Sequence, residues 1–235
     1  PSLLISAIGQ IDDVGRAVTM DLKEPGNLLY QVGATRRELG GSHFALVQNL
    51  PGGDVPQVDP ALAKLTFQGV HAAIVAGCVR ACHDLSEGGL AVAAAEMAFA
   101  GGLGARLQLA EAPYSIVLDR AAQERAAKLA EAHPELELHP LSAQPDATAM
   151  LLFAESNSRF LCEVPQDKAA AFEKALHGVP HALLGEVTTG GRLEIFGLPQ
   201  PVKDAPDEAA VLRVPKVIDA PLDELKEVWQ EPLRW

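Results

Sequence analysis

Two apolar stretches, Ala72–Val79 and Gly89–Ala95, constrain this chain more than any other feature. Each ends at a charge, Arg80 after the first and Glu96 after the second. A membrane-spanning helix needs about 20 apolar residues, so both runs read as core segments of a soluble domain and no membrane partner is expected. The chain has 235 residues, 48% hydrophobic and 21% charged. That is enough to bury a core without disulfide staples. The reading is one domain over residues 1–235. No charged-then-apolar leader opens it.

The surroundings of the two runs are helical. Asp59-Pro60 supplies a cap and a first helical residue. Leu62, Leu65, Val70, Ala73, Ile74, Gly77, Cys78 and Ala81 then recur at helical spacing, which predicts a helix to about residue 81. His83–Glu87 reads as a loop, and a second, Ala-rich helix runs from about Gly88 to Ala100, stopped by Gly101-Gly102. Strands are expected at Leu3–Ile11, Asn27–Val32, Leu103–Leu109, Ala149–Phe153 and Phe160–Val164. Ala182–Val187 and Arg192–Phe196 read as a hairpin-like pair. Further helices are expected at Asp119–Ala132, Gln166–Leu176 and Leu222–Gln230. This alternation predicts an α/β (α+β) fold, a mixed β-sheet flanked by helices.

Acidic residues outnumber basic ones by 31 to 19, a net charge of −12. Such a surface repels phosphate backbones and excludes nucleic acid as an expected partner. A local anion site made of backbone N–H groups is still allowed. Cys78, Cys82 and Cys162 form no CxxC pair and read as reduced thiols of a cytoplasmic protein. Cys78 and Cys82 fall at i, i+4 on the first predicted helix, as buried thiols. His43, His71, His133, His139, His177 and His181 are motif-free and receive no role.

Three polar segments could carry chemistry. In Ala81–Leu90, Ser86 can cap the second helix. Gly88 and Gly89 each cost roughly 1 kcal/mol against Ala in a helix interior, but they leave the helix N-terminus open to an anion. Asp84 would repel a bare phosphate yet suits a bridging Mg²⁺, which prefers one or two carboxylates plus phosphate oxygens. Asp84 is therefore a candidate metal ligand, and Ser86, Gly88 and Gly89 are candidate nucleotide contacts. A tight interhelical turn explains the same residues. Glu155-Ser156-Asn157-Ser158-Arg159 is either a substrate-contacting loop, with Glu155, Ser156 and Arg159 as contacts, or a solvated turn. Glu38-Leu39-Gly40-Gly41-Ser42 either brings backbone close to a ligand or ends a helix. No GxSxG, HExxH or Walker loop is present, and no residue is assigned as catalytic.

Taken in order, these segments resemble a known family. Pro1–Ile5, Gly33-Ala34-Thr35, Glu38–Ser42, His83–Leu90, Ala95–Ala98, Leu152–Ser156 with Ser158–Phe160, Leu184–Val187 and Leu225…Trp229 are similar to the C-terminal domain of the second repeat of phosphoribosylformylglycinamidine synthase. Residues 110–148 match poorly and look like a variable excursion. The resemblance implies an aminoimidazole ribonucleotide (AIR) synthetase-like C-terminal domain of ferredoxin-related topology. It implies an ATP-dependent ligase of purine biosynthesis. ATP phosphorylates the amide oxygen of formylglycinamide ribonucleotide, and ammonia displaces phosphate. It also implies ATP/ADP and Mg²⁺ as ligands, with positions matching Asp84 and Ser86 at the metal and nucleotide. A loop equivalent to Glu155-Ser156-Asn157 contacts substrate in another repeat, where Gln stands in place of Asn157. The implied partners are the missing N-terminal domains, a glutaminase domain or subunit supplying ammonia, and the substrate. Most nucleotide-binding residues and the catalytic His would lie in those domains, so the isolated chain is expected to be inactive and Pro1 to mark a domain boundary. A non-catalytic scaffold role, or another ATP-dependent member of the superfamily, is the alternative.

Overall fold

The computed structural model describes residues 6, 8–50, 53–115, 128, 131, 147–201 and 212–234. Apart from Lys128 and Glu131, both helical, the expected helix Asp119–Ala132 lies outside them, as does most of the 110–148 excursion. The described residues build a seven-stranded mixed sheet. Its strands are β1 (Leu28–Val32), β2 (Ala81–Asp84), β3 (Gly104–Gln108), β4 (Phe160–Val164), β5 (His181–Thr188), β6 (Arg192–Phe196) and β9 (Lys216–Pro221). Two short strands, β7 (Gln200–Pro201) and β8 (Leu212–Arg213), pair separately. The order across the large sheet is β2-β4-β1-β5-β3-β6-β9.

Alternation of side chains across the strands feeds two cores. Leu29 and Leu161 face one side, with α3 (Gly89–Gly101), α4 (Ala147–Phe153) and α6 (Leu222–Gln230) packed over it. Leu90, Met97, Leu107, Met150 and Leu151 fill that core. Tyr30, Val32, Cys162 and Val164 face the other side, under α2 (Pro60–Val75) and α5 (Ala169–Ala175). A short helix, α1 (His43–Val47), is capped by the Ser42 hydroxyl, which accepts from Ala45 N–H. Among the described residues no helix is long and apolar enough to cross a membrane.

Four expectations change. The described part of the first predicted strand, residues 6 and 8–11, is not a strand, and Ile8 and Ile11 are exposed. α2 stops at Val75 because Ala76 caps it and Gly77 turns left-handed at φ +68°, a common helix ending. Ala81–Asp84 is then an edge strand, not a helix end and loop, and Cys78 and Cys82 share no helix. Ala149–Phe153 belongs to α4, with Ala147, Met150 and Leu151 buried at helical spacing. Finally, β5 and β6 form no hairpin. β3 lies between them, antiparallel to β5 and parallel to β6.

Candidate functional site

Register brings the three polar segments to one end of the sheet. Asp84, the last residue of β2, pairs with Phe160, the first of β4. Leu85 N–H donates to Arg159 C=O at 3.0 Å. The segment after Asp84 therefore lies beside the Glu155–Arg159 loop. The Glu38–Ser42 segment is held beside them at both flanks, where Arg36 N–H donates to Ser156 Oγ at 3.0 Å and His43 N–H to Glu155 Oε1 at 2.9 Å.

Glu155 lies where these segments meet. Its Oε1 accepts from Gly88 N–H and from His43 N–H, each at 2.9 Å, with His43 Nδ1 at 3.3 Å. One carboxylate oxygen thus serves the N-termini of both α1 and α3, where a negative charge is favoured. Two of the N–H groups expected to face an anion at α3 therefore already have acceptors within the chain. Gly88 N–H is occupied by Glu155, and Gly89 N–H donates to Ser86 C=O at 3.1 Å.

The two glycines are needed for shape. Both have left-handed φ, +77° and +64°. A Cβ on Gly89 would lie 2.6 Å from Ala154 O and 2.8 Å from Leu152 O. Ser86 does not cap α3 with its side chain, because Gly88 holds the N-cap position. Ser86 and Asp84 are instead exposed beside that corner.

Glu155, Ser156 and Arg159 also differ from expectation. Ser156 and Arg159 are each 1% exposed. The Arg159 guanidinium donates to Ser156 C=O at 2.8 Å, to Thr35 Oγ1 at 2.9 Å and to Ala154 C=O. Burial pushes its pKa down to about 10, partly offset by the charges of Glu38 and Glu155. Ser156 and Arg159 thus hold the loop from within, while Glu155 is half-buried and engaged through Oε1. Asn157 is the exposed residue at the loop tip.

A second network starts at Asp84, whose side chain is 62% exposed. His83 Nδ1 lies 3.2 Å from Asp84 Oδ1, and its Nε2 lies 2.7 Å from Glu96 Oε2 on α3. The other oxygen of Glu96 accepts from Trp229 Nε1–H on α6 at 2.9 Å. The sequence reading gave none of His43, Glu96 and Trp229 a part in the site. Their only sequence signal was spacing: His43 directly follows a capping Ser, and Glu96 interrupts an apolar helix.

Among the described residues no group of three or more His, Cys, Asp or Glu side chains could hold a metal. Asp84 offers a single exposed carboxylate. That suits Mg²⁺, which takes one or two carboxylates and completes its shell with water and phosphate oxygens.

The architecture is that of an α/β domain whose mixed sheet gathers its polar loops at one end. Residues 24–197 match the family described as AIR synthase related protein, C-terminal domain, and the chain belongs to that family. Two relatives align with the chain over its whole length. They are the phosphoribosylformylglycinamidine synthase subunit PurL of Deinococcus radiodurans, 32% identical over 241 residues, and that of Alkaliphilus metalliredigens, 29% identical over 237. The chain covers only 26% of either relative. Among solved structures it is similar to T. maritima PurL complexed with FGAR, with a TM-score of 0.62 and 19% identity over 90% of this chain and 30% of that one. T. maritima PurL complexed with ATP gives a TM-score of 0.58 at 19% identity, over 90% and 27% of the two chains. At this identity the structural likeness establishes the fold.

Proposed function

We propose that this chain is a C-terminal domain of an ATP-dependent phosphoribosylformylglycinamidine synthase, a carbon–nitrogen ligase of purine biosynthesis acting in the cytoplasm. The observation that carries the reading is the alignment of the entire chain with the synthase subunit in two organisms. The remaining domains of a longer polypeptide would supply most of the substrate and nucleotide contacts, and a glutaminase domain or subunit would supply ammonia.

Within that enzyme, Asp84 and Ser86 are the residues of this chain that would meet a metal-bound adenine nucleotide. Both are exposed at the end of β2. Asp84 would hold Mg²⁺, which when bound neutralises phosphate charge. Ser86 offers a hydroxyl that can donate to a phosphate oxygen. Glu155, Ser156 and Arg159 shape the corner from behind, and Gly88 and Gly89 let it close. Replacing Asp84 by Asn in the whole synthase tests the reading. The expected outcome is loss of one bound divalent cation together with reduced nucleotide retention. Unchanged metal and nucleotide content would leave the domain as a scaffold, a reading favoured by Glu155 already taking Gly88 N–H at the start of α3.

A further inference from the structure

We propose that His83 is a positioning residue: its ring fixes the Asp84 carboxylate for a divalent cation, and Glu96 and Trp229 hold the ring in place. This rests on the reading of Asp84 as a metal ligand. An exposed carboxylate at a strand end samples several rotamers, and ordering it for a cation costs conformational entropy. A contact to Nδ1 restricts that freedom while taking only one of the two oxygens.

The contact is unusual in origin. Successive side chains of a strand project to opposite faces, so neighbours such as residues 83 and 84 do not ordinarily meet. They meet here where β2 ends at Asp84. The ring itself is 15% exposed and has a carboxylate oxygen at each nitrogen. It cannot rotate without losing one of them. Docking α6 onto α3 would need only the Glu96–Trp229 bond. The Nδ1 side of the ring points the other way, to the exposed acid.

The far end is equally anchored. Trp229 donates to Glu96 and packs against Phe99, with ring centroids 5.6 Å apart. The network therefore spans β2, α3 and α6. Partners behind a metal ligand typically alter metal affinity by about 10–100-fold when removed.

The test uses the whole synthase with Mn²⁺ as probe, counting bound metal by the electron paramagnetic resonance of the free ion. The site is defined as the Mn²⁺ binding that Asp84→Asn abolishes. His83→Gln can still reach Glu96 from the position of Nε2 but leaves Asp84 without its contact at the position of Nδ1. It should weaken that site by about tenfold or more while the melting temperature stays near that of the parent. His83→Asn restores a polar contact near the position of Nδ1 and should recover most of the affinity. Trp229→Phe, which keeps the ring and loses the N–H, should weaken Mn²⁺ binding in the same direction by less. If His83→Gln binds Mn²⁺ like the parent while Asp84→Asn does not, the metal reading stands and the positioning role falls. If His83→Gln also melts far below the parent, His83→Asn decides, and no recovery overturns the proposal. Full Mn²⁺ binding by Asp84→Asn removes the metal reading and this proposal with it.

Discussion

At Glu155 a single carboxylate oxygen ties two chain segments together. Removing the side chain leaves Gly88 N–H and His43 N–H without their acceptor. Glu155→Ala should lower stability by about 1–3 kcal/mol, read as a shift of the urea midpoint at constant slope. Glu155→Gln keeps a carbonyl oxygen to accept with, and should stay within about 1 kcal/mol of the parent. The Tyr30 phenol makes a second, pH-dependent case. Burial first, then its hydrogen bond to Glu173 at 2.8 Å, holds its pKa above the usual tyrosine value of 10.0. The folded state therefore keeps a proton that the unfolded state releases above pH 10. The stability this provides is complete below about pH 10 and falls as pH rises further. Tyrosinate absorbance should show Tyr30 ionising above pH 10, together with loss of the fold, and Tyr30→Phe should lose that component of the pH dependence. Asp84 and Ser86 stood out as polar candidates in a turn-rich segment, and both are exposed. The place of Arg159 was not legible. An Arg in a polar run reads as solvated, and its burial depends on acceptors from Thr35 and Ala154 that no local pattern announces.

Among the elements, the clearest in sequence were those with punctuation. Asp59-Pro60 starts α2 as expected, and the Asp59 carboxylate accepts from Ala61 and Leu62 N–H. The C-terminus of α2 carried an equally good signal in Gly77, which helical periodicity overrode. β2 was hidden because Ala-Cys-His-Asp has no β-branched residue and only four positions. It forms because β4 offers it an edge. The apolar run of α4 suited a strand as well as a helix, an ambiguity that short runs always carry. Gly89 supports a prediction at this scale. Gly89→Ala would put a Cβ 2.6 Å from a backbone oxygen at a left-handed φ, displacing α3 from the end of α4. A loss of at least about 2 kcal/mol is expected, with hydrogen exchange accelerated first in α3.

At the scale of the whole molecule, the fold class followed from the alternation of apolar elements, but the strand order did not. Neighbouring in sequence suggested that β5 and β6 pair, whereas a strand from the first half of the chain separates them. The chain covers about a quarter of its relatives. The expected result for the isolated chain, given substrate, ATP and ammonia, is no product in a turnover assay. Detectable turnover would mean that this chain carries more of the reaction than the contacts proposed for Asp84 and Ser86. The strand order also bears on how the chain is made. β1 is synthesised early, yet its two partners begin at residues 160 and 181. β3 likewise needs β5 and β6. Contacts this distant in sequence make folding slow and late. While it emerges from the ribosome, the N-terminal half holds three strands, β1, β2 and β3, without their neighbours, and only β5, by joining β1 to β3, turns two partial sheets into one.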